Sequence, residues 1–220
     1  MKVSSMGYQV VVVAACVALA ACAGTHPVRY TGLESSTQLQ PNANDSSGRV
    51  PYNYSSGANW RKYSNAIVEP VVVYSGADSQ FENVSEDQKK ELAEYMRAQF
   101  TEALKEKFTM MSQPNVHTLL VKLTLTGAKP TKQFVGTVTK FDLAGGPYNA
   151  VQSIRGKEGA LSGSVSYAVE IYDASTNQLL SAYVAKQYPN AMNVKATFGA
   201  MSASKTGIKK GAEDLIARLN

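Results

Sequence analysis

The stretch SVSYAVEIYD, from Ser164 to Asp173, decides the fold class. Its apolar side chains fall on every second residue, which is the period of a half-buried β-strand. A second stretch of this kind runs from about Gln178 to Tyr188, after the turn-forming residues 173–177. Asn177 tolerates the left-handed backbone conformation that tight turns require. The sequence therefore predicts a β-hairpin over residues 164–188.

Two further strands are predicted upstream of this hairpin. From His117 to Thr126, four apolar residues alternate with a mostly polar set, which again indicates a half-buried strand. Ala66 to Tyr74 is a β-branched run interrupted by Pro70. Because proline has no N–H to donate, we expect this strand at a sheet edge or with a bulge at Pro70.

Two helices complete the predicted domain. Ser85 and Gln88 form a capping box, and apolar residues then recur at spacings of three and four as far as Phe108. A second helix is predicted over roughly Gly199 to Leu219. It carries a stripe of small residues, namely Ala200, Ser204, Gly207 and Gly211. Each interior glycine costs a helix up to about 1 kcal/mol relative to alanine, so we expect this stripe to approach the sheet or a partner helix closely.

The order of these elements predicts an α+β domain over residues 66–220. We expect a four-stranded mixed β-sheet with two α-helices packed on one face. A right-handed first crossover makes the first two strands parallel. The opposite sheet face is expected to be more polar, or to serve as a surface for a partner.

The amino terminus has the parts of a secretory signal in order, namely Lys2, an apolar run from Val10 to Leu19, and small residues. The run is too short to span a bilayer, which takes about 20 apolar residues. Leu19-Ala20-Ala21-Cys22 resembles the consensus of bacterial lipoproteins. That resemblance implies a signal peptide over residues 1–21 and lipidation of Cys22, with a diacylglycerol on its sulfur and a fatty acid such as palmitate on its amine. Read as an ordinary cleavage site, the same residues would leave a soluble secreted protein.

The residue after Cys22 is Ala23 rather than Asp. By resemblance to Gram-negative lipoproteins, this favours the outer membrane. Residues 22–65 are rich in Ser, Asn, Gly and Pro and are predicted to form a flexible tether. Aromatic residues are spread through it, so we expect its later part to be held to the domain by a few rings.

Residues 127–163 are too long for an ordinary connection and are predicted to be a long insertion. Basic and apolar residues are interleaved in it. This mixture suits contact with an anionic membrane, a glycan or a partner protein, although a solvated insertion would carry the same residues. The candidate binding residues are Lys129, Lys132, Phe134, Lys140, Phe141, Arg155 and Lys157.

Catalytic and metal motifs are weak. The chain has two histidines and no zinc-ligand spacing. Gly199 to Thr206 fits a phosphate-binding loop except that Ser204 replaces the second glycine. We therefore expect no enzyme activity, no cofactor and no metal. The alternative left open is a hydrolase that uses His117.

Several short motifs resemble one family. They are the lipobox, Tyr30-Thr31-Gly32-Leu33 with Leu39, Ala66-Ile67-Val68-Glu69-Pro70-Val71, the capped helix and the hairpin segment Glu170-Ile171-Tyr172-Asp173. Together they resemble the uncharacterised Gram-negative lipoproteins of domain-of-unknown-function family 3313. The resemblance brings no known reaction.

The expected function is therefore that of a non-enzymatic structural or interaction protein. It would be anchored in the outer membrane through the lipid on Cys22, face the periplasm, and contact an envelope protein or a glycan. The alternative is a binding module for peptidoglycan or anionic lipid that acts through residues 127–163. A formal net charge of +5 is too small and too dispersed to indicate nucleic acid.

Overall fold

The computed structural model describes residues 26–131, 163–189 and 199–220. These residues form nine strands, two α-helices and one 3₁₀ turn at Trp60–Lys62. The strands are β1 (Gln40–Pro41), β2 (Tyr52–Ser55), β3 (Asn65–Val68), β4 (Val72–Val73), β5 (Gln80–Phe81), β6 (Thr109–Met110), β7 (Thr118–Lys129), β8 (Ser164–Asp173) and β9 (Leu179–Gln187). The helices are α1 (Glu86–Leu104) and α2 (Ser202–Arg218).

One sheet contains all nine strands, with the main order β1-β2-β9-β8-β7-β3-β6. Its centre is the antiparallel set β7, β8 and β9, in which Leu123 pairs with Val169 and Val169 pairs with Tyr183. The predicted hairpin is confirmed, and Asn177 has a positive φ of 56° in its turn.

The free side of β7 is covered by three short strands in succession. β3, β4 and β5 each pair with β7 in parallel, which confirms the predicted parallel arrangement. Pro70 lies between β3 and β4. The ladder continues around it, because the N–H of Glu69 donates to the carbonyl of Val121 and the N–H of Tyr74 donates to the carbonyl of Leu125. Pro70 thus lies between these two hydrogen bonds to β7, so its missing N–H does not interrupt either of them.

Helix α1 begins as predicted. The hydroxyl of Ser85 accepts from the Gln88 N–H, and the Gln88 side chain accepts from the Ser85 N–H. The helix ends at Leu104, and Phe108 is buried beyond its end. The stripe packs on one sheet face, which we call the helix face, and its buried members are Leu92, Ala93, Met96, Phe100 and Leu104.

Helix α2 lies on the same face, and its small residues explain how closely it approaches. A Cβ added at Gly207 would lie 2.9 Å from Gln187 Cβ. One added at Gly211 would collide with the hydroxyl of Tyr167. Ser204 is buried, and its hydroxyl donates to the carbonyl of Ser164 at 3.0 Å. The predicted close approach to the sheet is confirmed.

The predicted four-stranded sheet is wrong, because the sheet has nine strands among the described residues. Five of them were not predicted as strands in their own right. β1, β5 and β6 have only two residues each, and β2 has four. Segments of this length are too short to show an alternating period. β4 was predicted as the continuation of β3 rather than as a separate strand.

The second sheet face is also not left open. In β8, Val169 belongs to the core on the helix face, whereas its neighbour Ala168 belongs to a separate apolar cluster. That cluster contains Tyr30, Leu33 and Leu39, all buried. β1 and β2 add to the sheet through β9. From residue 26 onward, the segment predicted as a tether is therefore part of the domain.

None of the helices formed by the described residues is long and apolar enough to cross a membrane.

Candidate functional site

The domain has two distinct ends. At the first, which we call the proximal end, Lys129 at the end of β7 pairs with Ser164 at the start of β8. The start of α2 is also there, since the Thr131 N–H donates to the carbonyl of Ala200. The opposite or distal end carries the β8–β9 turn. The described residues that flank residues 132–162 and 190–198 therefore all lie at the proximal end.

The described chain starts at this same proximal end. The Gln80 side chain donates to the carbonyl of His26 at 2.8 Å and accepts from the hydroxyl of Tyr30 at 3.0 Å. Gln80 itself pairs with Gly127, two residues before the end of β7. We call residues 26–39 the N-terminal segment. His26, the first residue of this segment, is therefore held beside the end of β7.

A first cluster holds the Tyr30-Thr31-Gly32-Leu33 motif. The hydroxyl of Tyr74 accepts from the Gly32 N–H at 3.1 Å and donates to Asp78 at 2.6 Å. The second oxygen of Asp78 accepts from the Thr31 N–H at 3.1 Å. The hydrogen bond from Tyr74 lowers the pKa of Asp78. The carboxylate thus stays ionised and keeps both donors.

Packing in the same cluster leaves room only for glycine at position 32. A Cβ at Gly32 would lie 2.8 Å from Cε2 of Tyr74. The Tyr74 ring also packs against Tyr30, with the ring centroids 5.4 Å apart in an edge-on arrangement. Tyr30 is buried, and burial raises its pKa to about 12, so its hydroxyl remains a hydrogen-bond donor.

A second cluster holds the middle of the N-terminal segment. Glu170 is only 4% exposed, and its carboxylate accepts from the Ser35 N–H at 2.7 Å. Next to it, Lys122 donates to both oxygens of Glu34 at 2.9 Å, and Tyr172 donates to Glu34 at 3.2 Å. The hydrogen bond from Lys122 is the main cause of the lowered pKa of Glu34. Burial raises the pKa of Tyr172.

The hydrogen bonds of both clusters attach the N-terminal segment to the rest of the domain. Their carboxylates accept from backbone N–H groups or from lysine, and the hydroxyls of Tyr74 and Tyr172 donate to these carboxylates. The motif at residues 30–33 was the one signal in the sequence that could have identified the first cluster. Its partners Tyr74, Asp78 and Gln80 lie more than 40 residues away along the chain, so spacing alone could not reveal them.

Most sequence-predicted site residues lie outside the described residues. These are Cys22, Lys132, Phe134, Lys140, Phe141, Arg155 and Lys157. Lys129 is described, and it is the last residue of β7, with its Nζ 3.9 Å from a Glu82 carboxylate oxygen. Residues 127–129 of the predicted insertion therefore belong to a strand of the sheet.

His117, the candidate for a hydrolase, has a positive φ of 59° at the distal end. Its carbonyl accepts from the N–H groups of Ser64 and Asn65. Within residues 26–131, 163–189 and 199–220, no three His, Cys, Asp or Glu side chains are grouped as metal ligands.

The fold defines a class of protein, namely an α+β domain. Its N-terminal segment is attached to the mixed sheet, and His26 is held at the proximal end. The chain belongs to the family of proteins of unknown function DUF3313, which matches residues 29–215. The family predicted from the sequence is confirmed. The match begins within the N-terminal segment, three residues after His26.

The chain is similar to several solved structures at low identity and low TM-score. A PelC dodecamer from Paraburkholderia phytofirmans is 12% identical, with a TM-score of 0.39, over 73% of this chain and 93% of that one. A DUF4136 family protein from Bacteroides thetaiotaomicron is 14% identical, with a TM-score of 0.39, over 76% and 95%. A DUF330 protein from Xanthomonas campestris is 9% identical, with a TM-score of 0.36, over 74% and 87%. No curated protein matches the sequence.

Proposed function

We propose that the protein is a non-enzymatic interaction protein of the cell envelope, anchored in the outer membrane by lipid on Cys22 and facing the periplasm. The observation that carries this proposal is the fixed position of His26 beside Gln80. Cys22 precedes His26 by four residues, which span at most about 14 Å when fully extended. A lipid on Cys22 would therefore hold the proximal end close to the bilayer.

This short connection gives the domain an orientation. β7 has 12 residues and runs from the distal to the proximal end. At about 3.3 Å per residue its length is about 40 Å. With the proximal end at the membrane, the distal end would stand about that far out in the periplasm. Such an arrangement suits a protein that presents one end to a partner at a set distance from the membrane.

The described polar clusters support a non-enzymatic role. Glu170 and Asp78 are the acids that hold the N-terminal segment, and both accept from its backbone. The tyrosines beside them have raised pKa values or donate to these acids. These groups are accounted for by attachment of the segment that would lead to the lipid.

A second candidate function is binding of anionic lipid through residues 127–163. The observation that favours it is the position of the two ends of this segment. The hydroxyl of Thr131 accepts from the Gly163 N–H at 3.3 Å, at the proximal end. The segment therefore leaves and re-enters the domain at the end that a lipid on Cys22 would hold at the membrane. Its lysines would add electrostatic attraction to an anionic surface.

Fractionation and orientation together test the anchor. A Cys22→Ser variant should leave the membrane fraction, because stable anchoring needs the acyl chains. In the lipidated protein Cys22 is a thioether and Cys16 has been removed with the signal, so an introduced cysteine is the only free thiol. Ala77→Cys at the proximal end and Gln178→Cys at the distal end then receive the same fluorophore in lipid vesicles.

A quencher on the lipid headgroups should quench the Ala77→Cys label strongly and the Gln178→Cys label weakly. Equal quenching of the two labels would contradict the proposed orientation. For the second function, Lys132, Lys140 and Lys157 are changed to Gln in unlipidated protein, and binding to anionic vesicles should fall. A matched variant changes the distal residues Arg61, Lys62 and Lys105 to Gln and should bind like wild type. If the two triple variants bind alike, lipid binding through the segment is wrong.

A further inference from the structure

Three carboxylates attach the N-terminal segment to the domain. Asp78 and Glu170 accept from backbone N–H groups of the segment, at 3.1 and 2.7 Å. Glu34 lies in the segment itself, and both of its oxygens accept from Lys122 at 2.9 Å. Hydrogen bonds to an ionised acceptor are roughly twice as strong as those between neutral groups. The strength of the attachment therefore depends on the charge of these three acids.

Glu170 and Glu34 share their surroundings. The Tyr172 hydroxyl donates to Glu34 at 3.2 Å and lies 3.5 Å from Oε1 of Glu170. Lys122 is paired with Glu170 in the register of β7 and β8, and its Nζ donates to Glu34. On β9, the residue paired with Glu170 is the uncharged Ala182. Two carboxylates thus face one lysine, and protonation of either acid changes the charge balance of the site.

Asp78 has no basic partner among the described residues. Its side-chain donor is the hydroxyl of Tyr74, at 2.6 Å, and the ring of Tyr74 packs against the equally uncharged Tyr30. The hydrogen bond from Tyr74 lowers the pKa of Asp78, and that from Lys122 lowers the pKa of Glu34. The attached state therefore gains stability above the ordinary values of 3.8 and 4.5, and it loses this stability as the pH falls below them.

The rest of the attachment is small and includes an unfavourable group. Ser35 is fully buried, but its hydroxyl has no hydrogen-bond partner within the part of the chain that the structure describes. Such a hydroxyl opposes burial of the segment, because it has lost its hydrogen bonds to water. The buried apolar side chains of the segment are Tyr30, Leu33 and Leu39. Because these contacts do not titrate in acid, the carboxylates determine how attachment changes with pH.

We propose that the N-terminal segment is an acid-sensitive switch, which is attached to the sheet at neutral pH and released when Asp78, Glu34 and Glu170 become protonated. Release would uncover the apolar cluster on the second face of the sheet. Only the consequence at the membrane rests on the proposed function, since a longer free connection to a lipid on Cys22 would let the domain move further from the bilayer.

Electron paramagnetic resonance of a spin label on the segment measures its release. The test uses the full chain in detergent, with Cys16→Ser and Cys22→Ser, so that no lipid is needed. Thr37→Cys, at an exposed position of the segment, carries the label. Between pH 7 and pH 3 the mobile fraction should rise at least about tenfold, the factor expected when one charge-assisted hydrogen bond becomes neutral. A label at Lys209→Cys on α2 should keep its mobility.

Uncharged variants show which acids are responsible. Asp78→Asn combined with Glu170→Gln keeps the shape of both side chains and removes their charge. The segment of this double variant should already be mobile at pH 7, and its mobility should depend less on pH than that of the parent. Asp87→Asn combined with Glu94→Gln is the matched control, because it removes two exposed acids of α1. The control should behave like the parent at every pH.

Equal mobility of the parent at pH 7 and pH 3 would overturn the proposal. So would an acid-induced rise of the same size in the double variant, or a Lys209→Cys label that becomes mobile together with the Thr37→Cys label. Should the double variant unfold, Glu34→Gln at an exposed position provides a second variant, which should raise the mobile fraction at pH 7; an unchanged fraction would refute the switch. The Cys22→Ser fractionation is read separately, so a failed anchor and a failed switch give different results.

Discussion

Gly32→Ala should release the N-terminal segment without unfolding the sheet. The new Cβ would lie 2.8 Å from Cε2 and 3.2 Å from the hydroxyl of Tyr74. The Tyr74 ring cannot move aside easily, because its hydroxyl is held by Asp78 at 2.6 Å and its ring packs edge-on against Tyr30. Overpacking of this kind costs about 1–3 kcal/mol.

Hydrogen exchange measures the effect where it should occur. A cost of about 2 kcal/mol corresponds to about a 30-fold increase in local opening. Amides of residues 32–39 should therefore exchange about that much faster, whereas amides at the centre of β8 should keep their protection. Thr31→Ala is the matched control, because Thr31 is exposed and contributes its backbone N–H rather than its side chain.

Unchanged exchange in Gly32→Ala would show that the Tyr74 cluster does not hold the segment. Faster exchange in Thr31→Ala of the same size would show that any change at the motif has this effect, and the steric argument would fail. Faster exchange throughout the sheet would mean that the segment and the sheet open as one unit.

Three further predictions concern stability. Gly211→Ala should lower the free energy of unfolding by about 1–3 kcal/mol, because its Cβ would collide with Tyr167. Urea titration measures this loss, and the control Lys209→Ala, on the exposed side of α2, should change the free energy of unfolding by less than about 0.5 kcal/mol. Ser85→Ala removes a side-chain cap of α1 and should cost about 1 kcal/mol by the same titration. Hydrogen bonds, first that from Ser175, lower the pKa of Asp173 from 3.8 to about 2, so its stabilising effect is present above pH 4 and disappears as the pH falls to about 2. The stability difference between wild type and Asp173→Asn should shrink over that range; a constant difference would contradict it.

Elements with many residues of regular period were predictable from the sequence. β7, β8 and β9 have nine to twelve residues each, and α1 has a capping box at its first turn. The alternation or the helical stripe therefore extends over several repeats. The strands of two residues have no period to recognise, so their pairing depends entirely on the neighbouring strand, which is β2, β3 or β7.

The attachment of the N-terminal segment was missed for a different physical reason. Its composition is typical of a linker, and its affinity for the domain comes from a few long-range contacts. The Ser35 N–H, for example, is bonded to a carboxylate 135 residues later. Aromatic residues in the segment indicated some contact, but not which face of the sheet would receive them.

Attachment of the N-terminal segment should set the distance of the domain from the membrane. With the segment attached, a lipid on Cys22 would lie at most about 14 Å from His26, so the position of the distal end relative to the membrane would be set by the length of the sheet. With the segment released as far as Gln40, the connection has 18 residues and reaches about 60 Å. The lipidated Gly32→Ala protein should therefore remain in the membrane fraction while the label at Ala77→Cys is quenched less by headgroup quencher. Attachment of the segment would then determine where the domain can reach, and lipidation alone would determine that it stays at the membrane.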